Sequence, residues 1–141
     1  MGSIWSQTCS IGRRPPLRGH LKTQAAVVGA GMAGVLTAYA LQQAGLSVVV
    51  LEADRIAGGQ TQNTTAKITS QHGLIYSRLI QSFGEETARR YAKANQDAVR
   101  AYQDLIDVQG ISCDWEERCA YLYGPDVTVL QEEAEAARRL G

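Results

Sequence analysis

Apolar positions along this chain change their spacing several times, and each change predicts an element. "AAVV" (25–28) is a short unbroken apolar run, two of its residues β-branched, with the length of a buried parallel strand. Gly29 to Gly34 ends it abruptly. Good helix formers follow from Met32 to Ala44, apolar at Met32, Val35, Leu36, Tyr39 and Ala40, with Gly45 placed as a C-terminal stop. "LSVVVLEAD" (46–54) then returns to a continuous apolar run, a second buried strand. The three elements make one β-α-β unit of about 30 residues, whose crossover is expected to be right-handed.

The flanking patterns differ. Residues 1–23, with Pro15, Pro16 and several glycines, hold no sustained period and read as an extended arm into a domain spanning 24–141, contributing packing at most. From Ala57 to Gly73 the chain turns polar, "AGGQTQNTTAKITSQHG", too irregular for a long helix and too long for an idle connection, as functional loops are. Leu74 to Ser82 fits a short helix, and Gly84 separates it from a longer one. There Ala88, Tyr91, Ala92, Asn95, Ala98, Val99, Tyr102, Leu105 and Ile106 recur at spacings of three and four, one amphipathic face ending near Gly110. "ISCDWEERCAYLYG" (111–124) has the β-branched and aromatic content of one or two short strands. A last helix is expected from about Leu130, acids early and arginines late as the helix dipole prefers. With so few strands to cover these helices, the chain reads as a truncated, incomplete α/β domain.

Composition narrows the classes. The 141 residues hold 14 basic and 14 acidic side chains, so no net field favours nucleic acid or an anionic membrane. Cysteines at 9, 113 and 119 are odd in number and form no CxxC pair, which argues against a disulfide framework and a closed zinc site and predicts reduced thiols and no metal. No apolar run approaches the roughly 18 to 20 residues of a membrane span. The first 24 residues carry Arg13, Arg14, Arg18 and Lys22 but no apolar core of a secretory signal. The expectation is a soluble cytoplasmic chain.

The candidate chemistry lies in the β-α-β unit. A glycine triplet at 29, 31 and 34 is weak evidence alone, but here it follows a strand and opens a helix. Gly29 permits a tight turn, Gly31 lets backbone N–H groups approach a pyrophosphate, and Gly34 lets helix and strand pack closely. The helix start at Met32 and Ala33 presents unpaired donors and a partial positive charge to phosphates. Glu52 stands 18 residues after Gly34, at the end of the second strand, where a carboxylate accepts ribose hydroxyls and repels a 2′-phosphate. These features predict a dinucleotide site and do not by themselves choose between FAD and NAD.

The stretch "VVGAGMAGVLTAYALQQAGLSVVVLEADRIAGGQTQNTTAKIT" resembles the FAD-binding segment of the D-amino-acid oxidase-like (DAO) FAD-dependent oxidoreductases, which include glycine oxidase, sarcosine oxidase and glycerol-3-phosphate dehydrogenase. In that family a Gly/Ser/Thr-rich segment follows the ribose-binding Glu and runs along the pyrophosphate toward the flavin; "GGQTQNTTAK" occupies that place. "TTAKITSQHGLIY" is most similar to bacterial members with a carboxy-terminal Rieske iron–sulfur domain. The resemblance implies a Rossmann-like fold, with Gly29, Gly31, Met32, Ala33 and Gly34 on the FAD pyrophosphate and Glu52 on the ribose. It places Ala53 and Arg55 near the adenosine, and Thr61, Thr64, Thr65 and Ala66 along the path to the isoalloxazine. Lys67 and His72 are weaker candidates for the flavin face, against a solvated loop cation and a structural histidine.

Family members are considerably longer, adding a substrate-binding sheet and a late return to the FAD site, and no Rieske ligands are present here. The resemblance therefore implies an FAD-binding portion of an oxidoreductase acting on an amine, amino acid or hydroxy acid, a small-molecule substrate, with catalytic residues elsewhere and little activity alone. An NAD-binding dehydrogenase domain is the alternative, disfavoured because such a domain would soon return to a third strand and helix. A non-catalytic fragment that self-associates through uncovered sheet is the other.

Overall fold

The computed structural model describes residues 3–141. The chain divides into two compact units, one running to Ala66 and one from Lys67 to Gly141.

The first unit is a small α/β piece. Strands β1 (Ala25–Val28) and β2 (Val48–Leu51) pair in parallel, Ala25 against Val48 through Val28 against Leu51, and helix α2 (Met32–Gln43) connects them. The β-branched valines suit the extended backbone, and the Ala/Leu/Gln-rich segment between them suits a helix. The polypeptide leaves α2 through Gly45, whose N–H donates to the Gln42 carbonyl while that of Leu46 donates to Leu41. The entrance to the pair is clasped by polar groups: the Gln24 amide oxygen accepts from Ser47 N, the Ser47 hydroxyl accepts from Gln24 N, and the Thr23 hydroxyl donates to the Ser47 carbonyl.

Burial of the strands differs from expectation. Val28 is 84% exposed, β1 alternates half-buried and exposed positions, and β2 is half-buried except at Val50. A parallel pair is buried on both faces only where helices or further strands cover both, and this two-stranded sheet has α2 as its one packed helix among the described residues.

The arm also departs from a purely extended path. Its first two residues lie outside the described residues, and Ile4–Thr8 form a short helix, α1, capped by the Ser3 hydroxyl accepting from Trp5 N. After α1, residues 9–23 have no regular structure.

The second unit is a cluster of three helices. α3 (Tyr76–Phe83) begins two residues later than its pattern predicts, α4 (Glu85–Gln109) matches its periodic stretch, and α5 (Val127–Leu140) starts three residues early. Asp126 explains the early start: its carboxylate accepts from the backbone N–H groups of Thr128 and Val129 and caps the helix there. Tyr76, Ala88, Ala92, Ala136 and Leu140 form the core, and the rings of Tyr76 and Tyr91 meet edge to face at 6.4 Å. The Arg139–Glu85 ion pair and the bond from Arg89 to the Leu140 carbonyl join α4 to α5.

The expected strands in 111–124 are absent; this segment is irregular. A segment of β-branched and aromatic content becomes a strand only beside a partner, and no described residue pairs with it, leaving Tyr121 and Tyr123 83% and 96% exposed.

Candidate functional site

The glycine turn is built by close backbone approach. Gly29 sits at φ 101°, a turn conformation that favours glycine, and a Cβ on Gly34 would lie 1.9 Å from the Gly29 carbonyl oxygen, so the first turn of α2 rests against the end of β1 only because Gly34 lacks a side chain. Gly31 caps α2 in extended conformation and offers no side-chain acceptor. The N-terminal donors of the helix therefore depend on other groups.

One of those groups is the Glu52 carboxylate. Oε2 accepts from Ala30 N at 2.7 Å and Oε1 from Asp54 N at 3.0 Å, tying the end of β2 to the glycine turn. These backbone donors, Asp54 first and then Ala30, hold the carboxyl below the usual carboxylate range against a smaller upward push from burial. Glu52 is thus ionised at neutral pH. A carboxylate offers about four acceptor sites, and with Ala53 N–H adding a weaker backbone contact, capacity remains for a ligand hydroxyl.

The other group is Thr61. Its hydroxyl accepts from Met32 N at 3.0 Å and lies 3.4 Å from where a Gly31 Cβ would stand. Thr61 belongs to a 3-10 turn, Gln60–Asn63, and the preceding loop is tied down by Ala57 N donating to the Ala30 carbonyl. Helix α1 holds the same loop: the Ser3 hydroxyl donates to the Gln62 carbonyl, and the Trp5 indole donates to the Thr64 carbonyl at 2.8 Å. The "GGQTQNTT" segment therefore folds back on the α2 terminus, and a phosphate at Met32 N would exchange places with the Thr61 hydroxyl.

Beside the turn opens a cleft of about 520 Å3 lined by Ala30, Glu52, Ala53, Asp54 and Arg55, with residues 11–17 of the arm as part of its wall. That is within the usual size of a small-molecule site, about 300–1,000 Å3. The arm, expected to contribute packing at most, is part of the cleft.

The structure thus brings together Gly29, Gly31, Met32, Gly34, Glu52 and Thr61, and puts Ala53 and Arg55 on the adjoining cleft. Ala33 lies in the first turn of α2. Thr64 and Ala66 sit in the loop beyond Thr61, where Ala66, at φ 55°, donates its N–H to the Thr64 hydroxyl, and Thr65 is exposed beside them. Lys67 opens the second unit and is exposed. His72 shares a hydrogen bond with Asn95 of α4 at 3.2 Å, as a structural histidine would.

Sequence reasoning missed Glu133. This residue of α5 is 2% exposed, and its carboxylate accepts from Gln71 Nε2 and from the N–H groups of Ile75, Tyr76 and Ser77, all at 2.9–3.0 Å. Burial pushes its carboxyl up, but the donors from Ser77, Tyr76 and Gln71 outweigh that and hold it below the ordinary range. It caps α3 from another helix. The available signal was its spacing of three and seven from Ala136 and Leu140, which puts an acid on the buried face.

Residues 24–141 match the family model for FAD-dependent oxidoreductases of the DAO type. The chain belongs to the DAO family of FAD-dependent oxidoreductases. It is 36% identical over 99% of its length to the putative Rieske 2Fe-2S iron-sulfur protein YhfW of Bacillus subtilis, covering 28% of that protein. It is 28% identical over 82% of its length to gamma-glutamylputrescine oxidoreductase of Escherichia coli, again covering 28%, and 26% identical over 77% to the probable oxidoreductase OrdL of Haemophilus influenzae, covering 25%. The chain therefore spans little more than a quarter of these curated relatives. No solved structure matches it. As a member of an FAD-dependent family, its mixed helices and small parallel sheet are a partial α/β domain of the DAO type. No helix among the described residues is long and apolar enough to cross a membrane.

Proposed function

We propose that this DAO-family chain provides the adenosine-diphosphate grip of an FAD site, on a Rossmann-like β-α-β unit, in a cytoplasmic oxidoreductase acting on a small amine, amino acid or hydroxy acid. The observation that carries the reading is the Glu52 carboxylate, bonded to Ala30 N inside the glycine turn and facing the cleft with acceptor sites to spare. Glu52 would take the ribose hydroxyls, and its negative charge would turn away a 2′-phosphate. The α2 terminus would take the pyrophosphate on the N–H groups of Met32, Ala33 and Gly34, with Thr61 yielding the Met32 donor it now holds. Thr64, Thr65 and Ala66 would continue the path toward the ring. When bound, FAD supplies the hydride-accepting chemistry, and the protein orients it.

Titration of the purified chain with FAD and with NAD, followed by flavin fluorescence and calorimetry, tests this. FAD should bind in preference to NAD, and Gly31→Val or Glu52→Arg should abolish binding, the first by filling the space beside Thr61 Oγ1. A chain that takes NAD and not FAD overturns the FAD reading. A second reading, self-association of the chain, is favoured by the exposure of Val28, Met32 and Val35. Sedimentation at increasing concentration decides it, and a monomer at every concentration removes it.

A further inference from the structure

The arm reaches the cleft with its charges uncommitted. Arg13, Arg14, Pro15 and Pro16 line the cleft together with Glu52 and Arg55. Arg89, Arg90, Arg100, Arg118 and Arg139 each pair with a carboxylate, whereas Arg13, Arg14 and Arg55, like Arg18, Arg78 and Arg138, do so with none among the described residues, and of these six the first three line the cleft. Two consecutive prolines fix two φ angles and remove two backbone donors, so the arm is stiff where it crosses the cleft. It is also fastened at both ends. Upstream, Ser3 and Trp5 donate to the carbonyls of Gln62 and Thr64; downstream, Thr23 and Gln24 are clasped to Ser47 at the strand entrance. A tail that merely trailed from the domain would need neither the fastening nor the stiffness.

The cleft has a charge problem that the arm answers. A dinucleotide carries two negative phosphates, yet outside the arm the cleft side chains set the carboxylates of Glu52 and Asp54 against the single cation Arg55. Against them the glycine turn offers only backbone donors and the partial charge of one helix end, equivalent to about half an elementary charge. Cationic side chains are missing from the turn itself.

We propose that the arm is a strap completing the nucleotide site, with Arg13 and Arg14 binding the adenosine-diphosphate half of the dinucleotide by charge. The proposal rests on the dinucleotide reading and adds two residues that lie outside the glycine fingerprint. Arginine suits the role because its guanidinium stays charged and presents several donors to a phosphate.

The test is titration of the full chain with FAD, ADP and uncharged adenosine, comparing native protein with Arg13→Ala/Arg14→Ala and Arg13→Lys/Arg14→Lys. The alanine pair should weaken FAD and ADP roughly tenfold or more, as expected for lost charge-assisted hydrogen bonds, and leave adenosine unchanged. Its affinity should also depend less on salt. The lysine pair should recover most of the loss. Both positions are exposed on the arm, so neither pair disturbs the core. Unchanged FAD and ADP binding in the alanine pair, while Gly31→Val abolishes it, overturns the strap and leaves the dinucleotide reading standing. A native chain that binds neither FAD nor ADP overturns both. A lysine pair as weak as the alanine pair overturns the role of charge.

Discussion

Up to Ala66, among the described residues, Ala30 is the one buried residue; from Lys67 onward Tyr76, Ala88, Ala92, Glu133, Ala136 and Leu140 all are. Each unit has an ionised glutamate accepting backbone N–H groups near the start of a helix, yet the two carboxylates differ in setting. Glu133 meets four donors at a place closed to water, and its acceptor capacity is used up in holding α3. Glu52 meets Ala30 N and Asp54 N, with a weaker contact from Ala53 N, beside an open cleft and keeps capacity in reserve. The same chemistry serves architecture where the acceptor is saturated and buried, and recognition where it is unsaturated and open. The first unit has little core of its own, so the stabilisation that a bound ligand adds by mass action should be a large share of its total stability.

The largest expected effect breaks the saturated side. Glu133→Ala leaves three backbone donors of α3 without their acceptor and should cost roughly 3 kcal/mol or more, since each buried unsatisfied group costs about 1–3. Thermal melts followed by circular dichroism should show a lower midpoint and lost helicity, while FAD affinity stays near native. Equal loss of both would show that the two sites are not separable.

Next is Gly34→Ala. A methyl 1.9 Å from the Gly29 carbonyl forces β1 and α2 apart, with a cost of about 1–3 kcal/mol and at least a tenfold loss of FAD binding by titration. Retained affinity would mean that the turn is more pliable than its geometry.

Acid should act more weakly and on both sides. Glu133 and Glu52 have carboxyls held below the ordinary value of 4.5 in the folded chain. Their contribution is present above that value and is lost as pH falls through the lower folded ones. Stability should therefore be flat near neutrality and fall below about pH 4.5, and Glu133→Gln should flatten much of that fall in the helical unit.

The smallest effect is Thr61→Val, which removes the acceptor at Met32 N. It should cost about 1 kcal/mol in the free chain, as lost helix caps do. A phosphate would supply the same acceptor, so the difference should shrink when FAD is bound. Comparison of midpoints with and without FAD measures it.

Much of the first unit was legible along the chain because its signals are local. The glycine spacing, the paired apolar runs and Glu52 at the end of the second run each follow from neighbours within about one β-α-β unit. The face of α4 was legible for the same reason, since helical periodicity needs no partner to be read. The strands expected in 111–124 failed because a strand exists only when paired. Glu133 and the arm were unreadable for a related reason: one acts across 56 to 58 residues on the start of α3, the other lines a cleft with residues far along the chain.

The amino-acid sequence by itself determined the glycine turn, the helix starting from it and the acid beside it, because these are properties of spacing and residue type; the likeness of the longer stretch that follows, not the spacing, pointed to the FAD-dependent family. Only the tertiary structure decided that Thr61 holds the helix donor at Met32, that Glu133 is spent on architecture and Glu52 is not, and that two arginines of the arm stand at the cleft. Those outcomes depend on which distant groups meet and how much water reaches them, and neither quantity is carried by local sequence.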